Sequence, residues 1–484
     1  MSVDSYDERI IGPGDEGSAL WARICAPTLR NSPHVRVIKG GMNGVAVIKV
    51  PRGHYVLVNA STGHPSLSDI SEHAGSLVDR LVEPARRLGA TPIGLGNDFN
   101  SSTGDLGVIE RAGKGLVERA NKFGVAIMNG ENAILGSRVN GEANILGALV
   151  SMIPKSVAPF ESSTRLFEHD GTRFAVFDPC EKSVYVNNDG NGTKLEFNEK
   201  AKRLELGLSD SAEMKLSDFI KLGASARVIA DVVETNQPLD MAGLETEARR
   251  LGGKYGFTYL LHHELVGDRI RSYKPGAFAL NIGGTAVSVI DEEFIRNPLK
   301  PEEGNVLIAI RGNPNIRSNG ATLRRETMNK VSGEEWHTTS EGRRMLEYFV
   351  RPSTILYGVF RDLISKGAAT SVYHMSGGAY NGKLARPLAK HGLFVKIDKL
   401  FAPCDQELEF LKLTSLTAEG SYGKLPMGND GFIATRHEEA AMHIIHAHGL
   451  EGRRVGPLQS AIDGRTGVEL RAWNGEMVYF SGKD

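Results

Sequence analysis

NNDGNGTKLEF at 187–197 follows the strand-like run SVYVN at 183–187, and how it is read decides the fold. Asp189, Gly190, Gly192, Thr193 and Lys194 offer an acidic group for Mg2+, glycines that let backbone N–H groups approach oxyanions, and a cation for phosphate. The acid comes first and the lysine last, so this is not a GxxxxGK[ST] phosphate loop. Taken alone, Asp-Gly-Asn-Gly is a turn between two strands. The segments on either side favour phosphate handling.

Downstream, GLSDSAEMKLSD (207–218) belongs to a helix that ends at KLGA. Asp210 and Asp218 lie eight residues apart, which puts them on roughly one side about two turns apart. With Asp189 and either Glu131 or Glu264 they would hold one or two Mg2+ ions together with a nucleotide's phosphate oxygens. The same acids also suit a solvated helix face.

Upstream, the whole region recurs in altered form. VLVN (56–59) matches VYVN (184–187), RLGA (87–90) matches KLGA (221–224), and ALVSMI (148–153) matches TAVSVI (285–290). The turn NGE (129–131) stands opposite HHE (262–264). Self-similarity on this scale is too long for a solenoid repeat and indicates a duplicated domain. Ser61 falls opposite Asp189, Ser66 opposite Lys194, Ser76 opposite Asp210 and Pro84 opposite Asp218, so the first copy lacks the charged set. The expected domains are 1–165, 166–297 carrying the loop, and 298–484. Within the first, helices are expected at about 69–88 and 106–123, NDFNSSTGDL (97–106) is expected to be a polar loop, and Lys39, Gly40, Gly41 and Gly44 form a turn or a phosphate cover.

In the C-terminal third, NPNIRSNGATLRRE places Ser318, Asn319 and Gly320 at a helix start, where free N–H groups receive an anion or Ser318 or Asn319 caps the helix. HMSGGAYNGKLARPL (374–388) repeats the device, with Gly377 and Gly378 before a helix carrying Lys383 and Arg386.

With 57 basic and 58 acidic residues the net charge is −1, so no global field draws in nucleic acid or a membrane surface. Cys25, Cys180 and Cys404 form no CxxC pair and suit a reducing, cytoplasmic setting. No apolar run approaches a membrane span.

Taken in order, the acidic-glycine-Thr-Lys loop, the two-acid helix ending in GA, the GGE-like turn, IRSNG, HMSGGA and KLPMGNDGF resemble AIR synthase, the phosphoribosylformylglycinamidine cyclo-ligase family of purine synthesis. The resemblance covers nearly the whole chain. It implies an α+β fold, with two related N-domains forming a pseudo-dimeric β-barrel with helices outside, followed by a C-terminal α/β-sandwich domain. It implies ATP and Mg2+ as cofactors and a phosphoribosyl small molecule as substrate. Asp189, Asp210 and Asp218 would be Mg2+–ATP ligands, and Lys194 a phosphate partner that shares the catalytic position with Asp189. Glu131 or Glu264, Ser318, Asn319, Gly377 and Gly378 would complete the nucleotide and substrate-phosphate contacts. The family dimerises through its N-domains, so this chain is expected to be a monomer with an internal pseudo-dimer, or a homodimer. It departs from the family at Ser217, at His262 and His263, and at Ala379. The superfold also serves other ATP-using enzymes, which leaves a different substrate, or a non-catalytic nucleotide-binding role, as the alternatives.

Overall fold

The computed structural model describes residues 17, 19–38 and 46–482. The KGGMNG stretch with Lys39, Gly40, Gly41 and Gly44 lies outside them. Two compact units result: Met1–Lys215 with Ala224–Pro298, and Leu216–Gly223 with Leu299–Asp484.

The first unit contains β1 (Val35–Val37), β2 (Ala46–Ile48), β3 (His54–Thr62), β4 (Thr91–Ser101), β5 (Ala126–Ile134) and β6 (Ala143–Pro154). It continues with β7 (Leu166–His169), β8 (Thr172–Phe177), β9 (Ser183–Gly190), β10 (Ser225–Thr235), β11 (Thr258–Leu265) and β12 (Leu280–Ile290). They form two six-stranded sheets, ordered β5-β4-β6-β3-β8-β7 and β1-β2-β9-β12-β10-β11. The inner four strands of each follow one plan: β5-β4-β6-β3 and β11-β10-β12-β9, with only the β4–β5 and β10–β11 pairs parallel. Even the bulge recurs, between Pro92 and Gly94 and between Ala226 and Val228.

Long β-branched and leucine-rich strands are expected where both faces are covered. In β3, Leu57 faces the outer helices while Val56 and Val58 join Val184, Val186, Val228 and Val232 in the core between the sheets. Each such side chain, fully buried, contributes about 1.5–3 kcal/mol. The outer helices are Ile70–Arg87, capped where Asp69 accepts from the Glu72 N–H, and Leu106–Phe123, ended by left-handed Gly124.

The barrel expected from the resemblance does not close: hydrogen bonding leaves two open sheets. The reason lies in two hairpins. β1–β2 pairs with the edge of β9, and β8–β7 with the edge of β3, so these edges are occupied. The expected boundary at 165/166 therefore precedes a hairpin, 166–177, that completes the first sheet. NDFNS, NGE and HHE, expected as loop and turns, lie inside β4, β5 and β11.

The second unit has β13 (Val306–Arg311), β14 (Ser371–His374), β15 (Leu393–Ile397), β16 (Gly431–Thr435), β17 (Glu451–Pro457), β18 (Gln459–Ser460), β19 (Gly467–Arg471) and β20 (Met477–Phe480). These make two four-stranded sheets, β14-β16-β13-β17 and β18-β15-β19-β20, accompanied by helices.

Candidate functional site

Residues directly opposite in neighbouring strands share a face. Asp231 of β10 pairs with Gly284 of β12, which pairs with Asp189 of β9, so two carboxylates flank a glycine in one row. At about 4.8 Å per strand they stand roughly 10 Å apart. Gly284 must be glycine, since a Cβ there would lie 2.2 Å from the Ala230 carbonyl oxygen and 2.7 Å from Asp231 Oδ1.

The helix Leu206–Ile220 supplies the cation for this row. Lys215, fully buried, places Nζ 3.0 Å from Asp231 Oδ1 and donates to Ser211 Oγ at 2.6 Å. Ser211 and Tyr259 hydroxyls each donate to Asp231 Oδ2 at 2.6 Å. Burial works against the charged lysine, and Asp231, Asp98 and Asp189 together more than compensate, raising it above its ordinary value. Asp98 of β4 approaches from the first copy: a Cβ on Gly283 would stand 2.5 Å from its Oδ2. Burial, helped by repulsion from Asp189 and Asp231 and opposed by Lys215, pushes Asp98 well above the carboxylate range.

The equivalent row in the first copy is Asn97–Gly147–Ser61, with Leu81 at the lysine position when both helices are counted back from their Gly-Ala pair. It carries no charge. Beside it, Arg80 donates to Ser61 Oγ at 3.1 Å and pairs with Glu264 at 2.7 Å. His262 and Arg80 hold Glu264 below the usual carboxylate range against the effect of burial. Ser61, Arg80, Arg87, Thr172 and His262 line a cavity of about 460 Å3. Glu264 thus reaches Arg80 of the first copy. The strand bearing Glu131 lies beside β9, where Asn129 Nδ2 donates to Asn187 Oδ1 at 3.3 Å.

The loop after β9 is short. The Gly190 N–H donates to Asp189 Oδ1 at 2.8 Å, Gly192 is left-handed at φ 54°, and Thr193 leads into the helix Lys194–Ala201. That helix start turns Lys194 inward, where Nζ donates to Asp210 Oδ1 at 2.8 Å with both side chains about 1% exposed. Lys194 and Asp210, expected on phosphate and on metal, are partners of each other.

In the second unit Asp218 pairs with Lys221 at 2.7 Å and lies 3.8 Å from His374 Nε2. Burial opposes its charge, but Lys221, Lys383 and His374 outweigh that and hold it well below the carboxylate range. The three C-terminal motifs meet through Arg317, which donates to the Met375 carbonyl at 2.6 Å and approaches Asp430 at 3.4 Å. Asp430 also accepts from Asn315 Nδ2 at 2.9 Å and from Thr354 Oγ1 at 3.0 Å. Asn315, Asp430, Gly428 and Cys404 help line a cavity of about 180 Å3. Arg317 and Ser318 are both left-handed, φ 47° and 57°, which non-glycine residues adopt only when held there. Ser318 Oγ and Asn319 Nδ2 are buried and unpaired at the start of the helix Ala321–Ser332. A phosphate fits such donors. Gly377 and left-handed Gly378 precede Ala379, whose φ 38°, ψ −126° is glycine geometry.

Mg2+ requires several oxygens around one point at 2.0–2.1 Å. Here Asp210 holds Lys194, Asp218 holds Lys221 and Asp231 holds Lys215. Among the described residues no three acidic, histidine or cysteine side chains gather to hold a metal. Asp189, Asp210 and Asp218 are thus not gathered into one such group among the described residues. Lys215, Asp231 and Asp98 were missed, although comparing Lys215 with Leu81 would have singled it out.

No family model matches the chain. A phosphoribosylformylglycinamidine cyclo-ligase from Streptococcus pneumoniae (strain P1031) is 27% identical over 290 residues, 57% of this chain and 81% of that protein. Among solved structures, T. maritima PurL complexed with FGAR has TM-score 0.40 at 14% identity, over 67% of this chain and 48% of that one. Thiamine-monophosphate kinase from Stenotrophomonas maltophilia K279a has TM-score 0.41 at 12% identity, over 65% and 92%. The chain thus spans about half of the PurL chain, and likeness at these scores carries no argument about substrate. Motif order and sequence similarity make the chain a divergent relative of the AIR synthase family.

Proposed function

We propose that the chain is an ATP-dependent cyclo-ligase that closes formylglycinamidine ribonucleotide to aminoimidazole ribonucleotide, releasing ADP and phosphate. The observation that carries this is the strained IRSNG turn, whose buried Ser318 Oγ and Asn319 Nδ2 are unpaired at a helix start, in a chain similar to cyclo-ligases over 81% of their length. ATP supplies the phosphoryl group that activates the formamide oxygen, and the substrate's own nitrogen then displaces phosphate as the ring closes. The chain's residues contribute positioning and charge balance. Within the second unit Ser318 and Asn319 take a phosphate, and Gly377 and Gly378 bring a second backbone turn to it; within the first unit the loop of Asp189, Gly190, Gly192 and Thr193 is the nucleotide-facing candidate. Two related N-domains in one polypeptide make a monomer the expected state.

A second reading, an ATP-using relative with another substrate, is favoured by the Arg80–Glu264 pair, by the lysine-paired acids and by Ala379. Following ADP and aminoimidazole product with and without formylglycinamidine ribonucleotide separates the two. Product formed in step with ADP supports the cyclo-ligase. ATP binding without substrate-dependent ADP refutes it and leaves the second reading.

A further inference from the structure

We propose that the Lys215 ammonium is a built-in cation that occupies the place a divalent ion would take over the Asp231–Gly284–Asp189 row, so that the second copy works without a resident metal. The row has the makings of a cation site: two carboxylates on one face and a glycine gap between them, with a further carboxylate, Asp98, against Gly283 on the opposite face of the sheet. What fills it is the end of a side chain. Lys215 Nζ lies 3.0 Å from Asp231 Oδ1 and 2.6 Å from Ser211 Oγ, and no part of its side chain reaches solvent. An ammonium donates three hydrogen bonds at such distances, whereas a metal would draw the same oxygens closer and reject an ammonium beside it.

The molecule contains its own control. Where Asn97 and Ser61 replace the two row acids, the helix position above them is Leu81, also fully buried. Lysine accompanies the charged row and leucine the neutral one, as expected if the lysine is present to balance the acids. Lys215 alone offsets only part of the charge. Burial pushes Asp98 toward its neutral form, which lowers the remaining demand. None of this depends on which substrate the chain uses.

The test is Mn2+ binding to the full chain without nucleotide, read from the paramagnetic resonance signal of free Mn2+, for wild type, Asp231→Asn, Lys215→Met and Lys215→Met/Asp231→Asn. Methionine keeps the length of lysine and removes its charge. The expected result is no saturable site in wild type, one in Lys215→Met, and a loss of about tenfold or more in affinity when Asp231→Asn is added. If Lys215→Met is too unstable to titrate, its melting temperature should rise with Mn2+ while that of wild type does not. A wild-type site abolished by Asp231→Asn would overturn the proposal. So would Lys215→Met that is folded without binding Mn2+, or that is unfolded and not restored by it.

Discussion

Replacing Lys194 by methionine removes one member of an ion pair whose side chains are both about 1% exposed and 2.8 Å apart. Breaking a buried ion pair from one side costs about 3–5 kcal/mol. Asp210→Asn, which breaks the same pair from the other side, should cost a similar amount. Replacing both, Lys194→Met with Asp210→Leu, removes the desolvation penalty along with the attraction, and such exchanges are often neutral or stabilising. The single variants should therefore melt roughly 6–20 °C lower, at about 2–4 °C per kcal/mol, while the double variant returns most of the way. Urea denaturation of all four proteins gives the coupling energy, provided the slope with denaturant is unchanged. If Lys194→Met kept wild-type stability and lost only affinity for phosphorylated ligands, the lysine would be a phosphate contact after all. That outcome would refute a stabilising Lys194–Asp210 pair.

Ala379→Gly should stabilise the second unit by about 1 kcal/mol, because relief of strain worth about 1–3 kcal/mol exceeds the glycine entropy cost, and unchanged melting would count against it. Gly284→Ala should lower melting sharply, since the added methyl meets backbone at 2.2 Å, and a well-folded variant would contradict the close packing of the acid row. His73 is buried and beside Arg269, which lowers its pKa from 6.5 to about 4. The unfolded chain therefore binds more protons between those values, and stability should rise as pH rises from 4 to 6.5 and be lost in the other direction. The full effect is about 3 kcal/mol, and His73→Gln should flatten that part of the profile.

The repeated strand plan could be read because it lies in local runs, VLVN with VYVN and RLGA with KLGA, and the two sheets share one strand order and one bulge. What could not be read was polar residues within strands. Asn144 and Asn281 donate to the buried Glu234 from two other strands, so asparagines that suggest turns in sequence are satisfied across the core. Asn97 and Asp98, expected in a loop, likewise lie inside a strand, β4. At the site the sequence displays the acids singly. Their cations, Lys194, Lys215 and Lys221, sat in the same segments, but which acid each reaches depends on how the helices meet the sheet. Alternation and spacing do not carry that information.

The exchange of edge hairpins also bears on synthesis. β1–β2 is made early, but its sheet does not exist until β9 follows, roughly 7–30 s later at about 5–20 residues per second. The first sheet likewise waits for β8, which is translated after the first copy is otherwise complete. Cutting the gene at 165/166 would leave β3 without β8 and β9 without β2, so it should yield two fragments with open edges rather than two domains. Strands of only three residues in β1 and β2 offer little to a wrong partner during the wait.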